Sequence, residues 1–310
     1  MPVDADVQAL LDTMDQQGLK SFEQLSVDES RGVIASFTTL QKPRQGVGKV
    51  VDALYPVEGG HQALRIYIPE AAGPLPVILY FHGGGFIAGD LEVVEEPNRS
   101  LANDTSAIVV AASYRLAPEN RFPAATDDAL AALRWVQENI EQYGGDAGRL
   151  AVMGDSAGGN LATVTAIRAR DEGGPQLRAQ VLVYPVIDPA ADLPSRAEFK
   201  EGYLLTAAGL DSFWDKYLSS PQDAEDPHAV PSKTPSLAGL PPALVLTTEY
   251  EVARDEAEAY AKQLTEAGVE TEALRFDGLI HGAYWMSGVL QRSDDMHQSI
   301  VQFLAKRLAD

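Results

Sequence analysis

Two segments with helical spacing open the chain, DADVQALLDTMDQ and SVDESRGVIASFTTL, before any run of strand character. VVDALYPV and ALRIYIPE then read as two strands joined by the turn Glu58-Gly59-Gly60-His61. From residue 75 onward the pattern changes. Short apolar runs (PVILYFH, AIVVAASY, RLAVMGD, RAQVLVYPV, PPALVLTTE) are interleaved with longer amphipathic stretches. Strands that are apolar throughout suit a parallel sheet buried between helices. RFPAATDDALAALRWVQENIEQYG predicts a long helix with proline near its start and glycine after its end. NLATVTAIRARDEG predicts a second, and DDMHQSIVQFLAKRLAD closes the chain after a last strand, TEALRFDG. This alternation over residues 75–310 predicts an α/β fold with a mostly parallel sheet covered on both faces. Residues 186–225 interrupt it. They carry Phe199, Tyr203, Leu204, Leu205, Phe213, Trp214 and Tyr217 between two core strands. With the N-terminal segment they are expected to form a lid. The expected organisation is therefore a first part of a cap over 1–45, core over 46–185, cap insertion over 186–225 and core again over 226–310.

The chain has 310 residues, 45% of them hydrophobic, enough for a large core. No stretch approaches about 18 consecutive apolar residues, so no membrane partner is expected. The first residues read as an acidic amphipathic helix and not as a secretion leader, which makes the cytoplasm the expected location. Cysteine is absent, which excludes disulfides, thiolate catalysis and cysteine metal sites. With 45 acidic against 24 basic residues the formal charge is −21, so phosphate backbones are repelled and nucleic acid is not an expected partner.

Candidate chemistry begins at Gly154-Asp155-Ser156-Ala157-Gly158, a G-x-S-x-G pattern between a strand and a helix. A nucleophilic serine needs that shape: a strained turn that exposes its hydroxyl, with small neighbours that allow the turn. Upstream, His82-Gly83-Gly84-Gly85-Phe86 follows another buried strand. Glycines leave backbone N–H groups uncovered, as an oxyanion hole requires, and the donors are expected from Gly83, Gly84 and Ala157. No G-K-[ST] follows, so a phosphate loop is not indicated. Among five histidines, His281 alone follows the final strand, where the chain order serine, acid, histidine places a general base. His82 is expected to brace the glycine loop. The acid should come from the loop after ALVLTT. There, Asp255-x-x-Glu258 reads as a helix capping box, and Asp277 lies too close in sequence to His281. Glu249, at the strand end, is expected to face the other way, and Glu251 is the expected acid.

With these motifs in place, the chain closely resembles the hormone-sensitive-lipase-like family of bacterial carboxylesterases, along nearly its whole length. The resemblance also runs through Tyr114-Arg115-Leu116-Ala117-Pro118-Glu119, Gly159-Asn160, Gly202-Tyr203-Leu204-Leu205-Thr206, Leu240-Pro241-Pro242-Ala243 and His281-Gly282. It implies an α/β-hydrolase fold with an eight-stranded sheet and a helical cap. It also implies hydrolysis of short to medium acyl esters by a Ser-His-acid triad, with a small-molecule ester as partner and no cofactor or metal. A homodimer is left open. Two departures stand out: Glu251-Val252 replaces the family's usual aspartate and proline, and Ala283 replaces a phenylalanine, leaving Tyr284 or Trp285 to fill the space. Phe86, Tyr184, Leu205 and Phe213 are the expected substrate-lining residues. Three other activities share the fold. An amidase would keep these motifs, a hormone receptor lacks the histidine that His281 supplies, and a dehydratase often carries threonine in place of Ser156.

Overall fold

The computed structural model describes residues 2–309, so the outermost limits of the expected domains, residues 1 and 310, lie outside it. Helices α1 (Ala5–Gln16) and α2 (Val27–Ser36) come first. The start of α2 is set by a capping box: Ser26 Oγ accepts the Glu29 N–H, and the Glu29 carboxylate accepts the Ser26 N–H. A hairpin of β1 (Lys49–Val57) and β2 (Gly60–Ile68) follows. The alternating core is β3 (Leu75–Phe81), α3 (Glu95–Thr105), β4 (Ile108–Ala112), α4 (Ala124–Asn139), β5 (Gly145–Asp155), α5 (Ala157–Asp171) and β6 (Leu177–Val183). Short helices α6 (Pro194–Glu198) and α7 (Ala207–Tyr217) occupy the insertion. The chain ends with β7 (Ala243–Tyr250), α8 (Arg254–Glu266), β8 (Thr271–Ile280) and α9 (Ser293–Arg307). Among the described residues no helix is long and apolar enough to cross a membrane.

One eight-stranded sheet runs in the order β1-β2-β4-β3-β5-β6-β7-β8. The β1–β2 and β2–β4 pairs are antiparallel and all others parallel. The apolar runs explain the layering: every residue of β4, and β3 from Val77 to Phe81, is buried, because helices cover both faces. Parallel alignment brings the carboxyl ends of β3, β5, β6, β7 and β8 to one edge, where binding crevices form in open α/β sheets.

Helix α3 has no counterpart in the apolar pattern. Its inner face is polar: Glu95, Glu96 and Asn98 are buried. Glu95 is held by Arg65, Arg99 and the Tyr67 hydroxyl, so an ion-pair network replaces the apolar stripe that marks other helices.

The N-terminal segment and the insertion pack on each other above this edge. Phe22 lies 5.2 Å from Phe213 between ring centroids, and Thr206 donates to Glu23 at 2.9 Å. From α2, Arg31 makes a two-pronged contact to Glu119 at 2.9 and 2.7 Å and also donates to the Ile87 carbonyl at 2.8 Å.

Candidate active site

Strand β5 runs directly into α5 through Ser156, whose φ of 54° and ψ of −120° is a strained conformation for a residue with a side chain. The turn closes only because its neighbours lack side chains. A Cβ on Gly154 would lie 2.1 Å from the Gly158 carbonyl oxygen, and one on Gly158 would lie 2.0 Å from that of Phe81. The hydroxyl of Ser156 is thereby lifted to the sheet edge. There His281, at the end of β8, meets it with Nε2 2.9 Å from Oγ. The ring of Tyr184, at the end of β6, lies 4.7 Å from the His281 ring.

Behind His281, Glu251 follows β7 and is fully buried. Its Oε2 is 3.7 Å from His281 Nδ1, beyond hydrogen-bond length, and accepts the Thr248 hydroxyl. Among the described residues neither His281 Nδ1 nor Glu251 Oε1 has a hydrogen-bond partner. The other acidic candidates are committed elsewhere. Glu249 accepts the Gly278 N–H at 2.8 Å. Asp277 lies within β8 itself, its backbone carbonyl bound to Arg292. The capping box expected from Asp255 and Glu258 does not form: α8 begins at Arg254, and Asp255 Oδ2 accepts the Ser195 N–H at 2.9 Å, tying α8 to α6. Glu258 instead holds Arg275 and Thr247.

The glycine loop differs from expectation at one position. The Gly83 N–H is already donated to Asp155 Oδ1 at 3.1 Å, so it is not free for an oxyanion. The chain then turns through Gly84 (φ 115°) and Gly85 (φ 61°), and both line the cavity with Ser156. No hydrogen bond among the described residues occupies either N–H. Ala157 begins α5, where leading N–H groups have no intrahelical acceptor. The available donors are thus Gly84, Gly85 and Ala157. A Cβ on Gly84 would lie 2.2 Å from the Ala88 carbonyl oxygen, which explains why the second position must be glycine. His82 braces the loop: its Nδ1 is 2.7 Å from the Gly83 carbonyl oxygen, and its ring stacks on Tyr114 at 4.5 Å. Burial lowers its pKa and favours the neutral ring.

A cavity with a largely apolar wall lies above Ser156. Phe86, Tyr184, Leu205 and Phe213 all line it. Sequence reasoning missed further wall residues: Phe22, Ile34 and Phe37 from the N-terminal segment, and Leu210 and Trp214 from α7. Of the two residues expected near the base, Trp285 lines the cavity, while the Tyr284 ring stacks on His297. Asp155, whose role the serine motif does not disclose, also lies in the cavity wall. Burial pushes its carboxyl up to about 7, against the opposing effect of hydrogen bonds from Tyr80 and Gly83. Among the described residues no cluster of three or more His, Asp or Glu side chains could hold a metal ion.

A protein-family model described as an alpha/beta hydrolase fold matches residues 78–285. Esterase LipI of Mycobacterium tuberculosis is 41% identical over 275 residues, 86% of this chain and 85% of its own. Ethyl acetate hydrolase of Pseudomonas putida is 37% identical over 257 residues, covering 81% and 80%. The solved structure of a hyperthermophilic esterase from the archaeon Pyrobaculum calidifontis superposes with a TM-score of 0.94 at 38% identity, covering 100% of both chains.

Proposed function

The chain belongs to the hormone-sensitive-lipase-like family of α/β-hydrolase carboxylesterases, and from that premise we propose that it cleaves short to medium acyl esters through a Ser156-His281-Glu251 triad and a covalent acyl-enzyme. The observation that carries this reading is the 2.9 Å contact of His281 Nε2 with Ser156 Oγ at the strained elbow. With Nε2 as acceptor, the ring proton sits on Nδ1 and faces Glu251. As Ser156 attacks the ester carbonyl, its proton passes to Nε2 and the ring becomes an imidazolium. Glu251, fully buried beside that ring, balances the new charge, and the 3.7 Å gap tightens as the charge develops. The carbonyl oxygen becomes an oxyanion facing the N–H groups of Gly84, Gly85 and Ala157. His281 then protonates the leaving alcohol, and water repeats the sequence on the acyl-enzyme.

The apolar wall supports esters with hydrocarbon acyl groups, and the name of the Pseudomonas relative, ethyl acetate hydrolase, supports the short end of that range. Turnover of p-nitrophenyl butyrate by Ser156→Ala tests the reading. A loss of several orders of magnitude with the fold intact is expected, since single triad knockouts cost that much elsewhere. Near wild-type turnover overturns it.

A further inference from the structure

Asp155 takes no part in the steps above, yet its carboxyl lies in the wall of the site and is almost completely buried. A single oxygen, Oδ1, accepts two hydrogen bonds, from the Tyr80 hydroxyl at 2.5 Å and from the Gly83 N–H at 3.1 Å. Both donors belong to β3 or the residues just after it, and the acceptor immediately precedes the nucleophile. The bond therefore spans the two segments whose separation decides where an oxyanion would sit relative to Ser156 Oγ. There is little slack in the contact: a Cβ on Gly83 would come within 2.4 Å of Asp155 Oδ2. Beyond Gly83 the chain is closed by the Ile87 and Ala88 N–H groups on the Gly84 carbonyl, at 3.2 and 3.0 Å. Held at Gly83 on one side and at Gly84 on the other, the loop keeps Gly84 and Gly85 in the cavity wall. Trp285 Nε1 approaches the Tyr80 hydroxyl at 3.5 Å, which links the same strut to the loop that carries His281.

The environment makes a purely structural role costly. Neither lysine nor arginine makes a hydrogen bond or ion pair with Asp155 among the described residues. A buried acid without a cation is expensive, and the two hydrogen bonds from Tyr80 and Gly83 are its main compensation. We propose that Asp155 is a positioning residue of the esterase, whose Oδ1 fixes the oxyanion loop at its working distance from Ser156. The inference rests on the serine-esterase reading.

Three variants test it: Asp155→Ala, Asp155→Asn and Tyr80→Phe, each checked for folding by circular dichroism and assayed for kcat and KM. Asp155→Ala removes the acceptor and should lower kcat about 100- to 1,000-fold, the effect of losing an oxyanion donor, with KM nearly unchanged. Asp155→Asn keeps a carbonyl oxygen for both donors and should recover kcat to within about tenfold of wild type. Tyr80→Phe breaks one arm and should lower kcat about tenfold at constant KM. Unchanged kcat in Asp155→Ala, a loss expressed in KM alone, or an Asp155→Asn as damaged as Asp155→Ala overturns the proposal. Should Asp155→Ala fail to fold, Tyr80→Phe decides: wild-type kcat there overturns it as well. Labelling by an organophosphonate separates the two levels. A wild-type enzyme that is not modified at Ser156 defeats the underlying reading. A modified wild type with kinetically silent variants defeats only this inference.

Discussion

The weakest-looking contact in the site is also its most informative one. Glu251 Oε2 lies 3.7 Å from His281 Nδ1, while Thr248 donates its hydroxyl to the same oxygen. Asp255 engages Ser195 and Arg254 and points its carboxylate at α6. Glu251→Gln should therefore lower kcat about 100-fold or more, because the imidazolium loses its counter-charge and its tautomer control. Asp255→Asn should leave kcat within a few-fold of wild type. Kinetics on both proteins, with folding verified by circular dichroism, give the ranking, and the reverse order would transfer the acid role to Asp255. Side-chain chemistry was legible at this scale because serine and histidine announce it at fixed places on the chain. The direction of a backbone N–H was not. Three consecutive glycines present equivalent donors in the sequence, and only the hydrogen bond from Gly83 to Asp155 distinguishes the first from the other two.

Elements were legible where their faces are apolar. The strands and the helices α4, α5 and α9 follow from the alternation of apolar runs and amphipathic stretches, whereas α3 hides behind a buried ion-pair network that reads as surface. The base of the insertion depends on another such group. Glu256 in α8 accepts the Ile187 N–H at 2.8 Å where the chain leaves β6 for the insertion. Burial pushes its carboxyl from 4.5 up to about 8, opposed by that N–H and by Arg196, and reinforced by Asp188. A carboxyl whose folded pKa is raised holds its proton longer in the folded state than in the unfolded one. Its contribution is therefore complete below about pH 4.5 and is lost progressively as pH rises toward 8. Glu256→Gln, a permanent mimic of the neutral form, should flatten the fall in melting temperature between pH 5 and 8.5. Calorimetry on the two proteins checks this, and identical slopes would mean that Glu256 stays ionised in the fold.

On the scale of the whole molecule, the parallel sheet does the assembling. Residues far apart in sequence, from Gly84 to His281, meet because the strands that carry them end at one edge. The alternation of apolar runs and helices conveyed that much. The lid expected from the first 40 residues and the insertion was legible too, but not its contacts, since Phe22 and Phe213 find each other only in three dimensions. In the function proposed above, that wall bounds the acyl group. Across p-nitrophenyl esters, kcat/KM should rise about fourfold per added methylene, from burial worth about 0.8 kcal/mol each, and then fall beyond about eight carbons. A steady rise to long, emulsified triglycerides would instead indicate an open lipase-type site. The central claim is the covalent one, and it has a direct measurement. Incubation with an alkyl phosphonate followed by peptide mass spectrometry should find one adduct, on Ser156, absent from Ser156→Ala and formed far more slowly in His281→Ala. An adduct on another residue, or hydrolysis that persists after Ser156 is fully modified, would contradict the account.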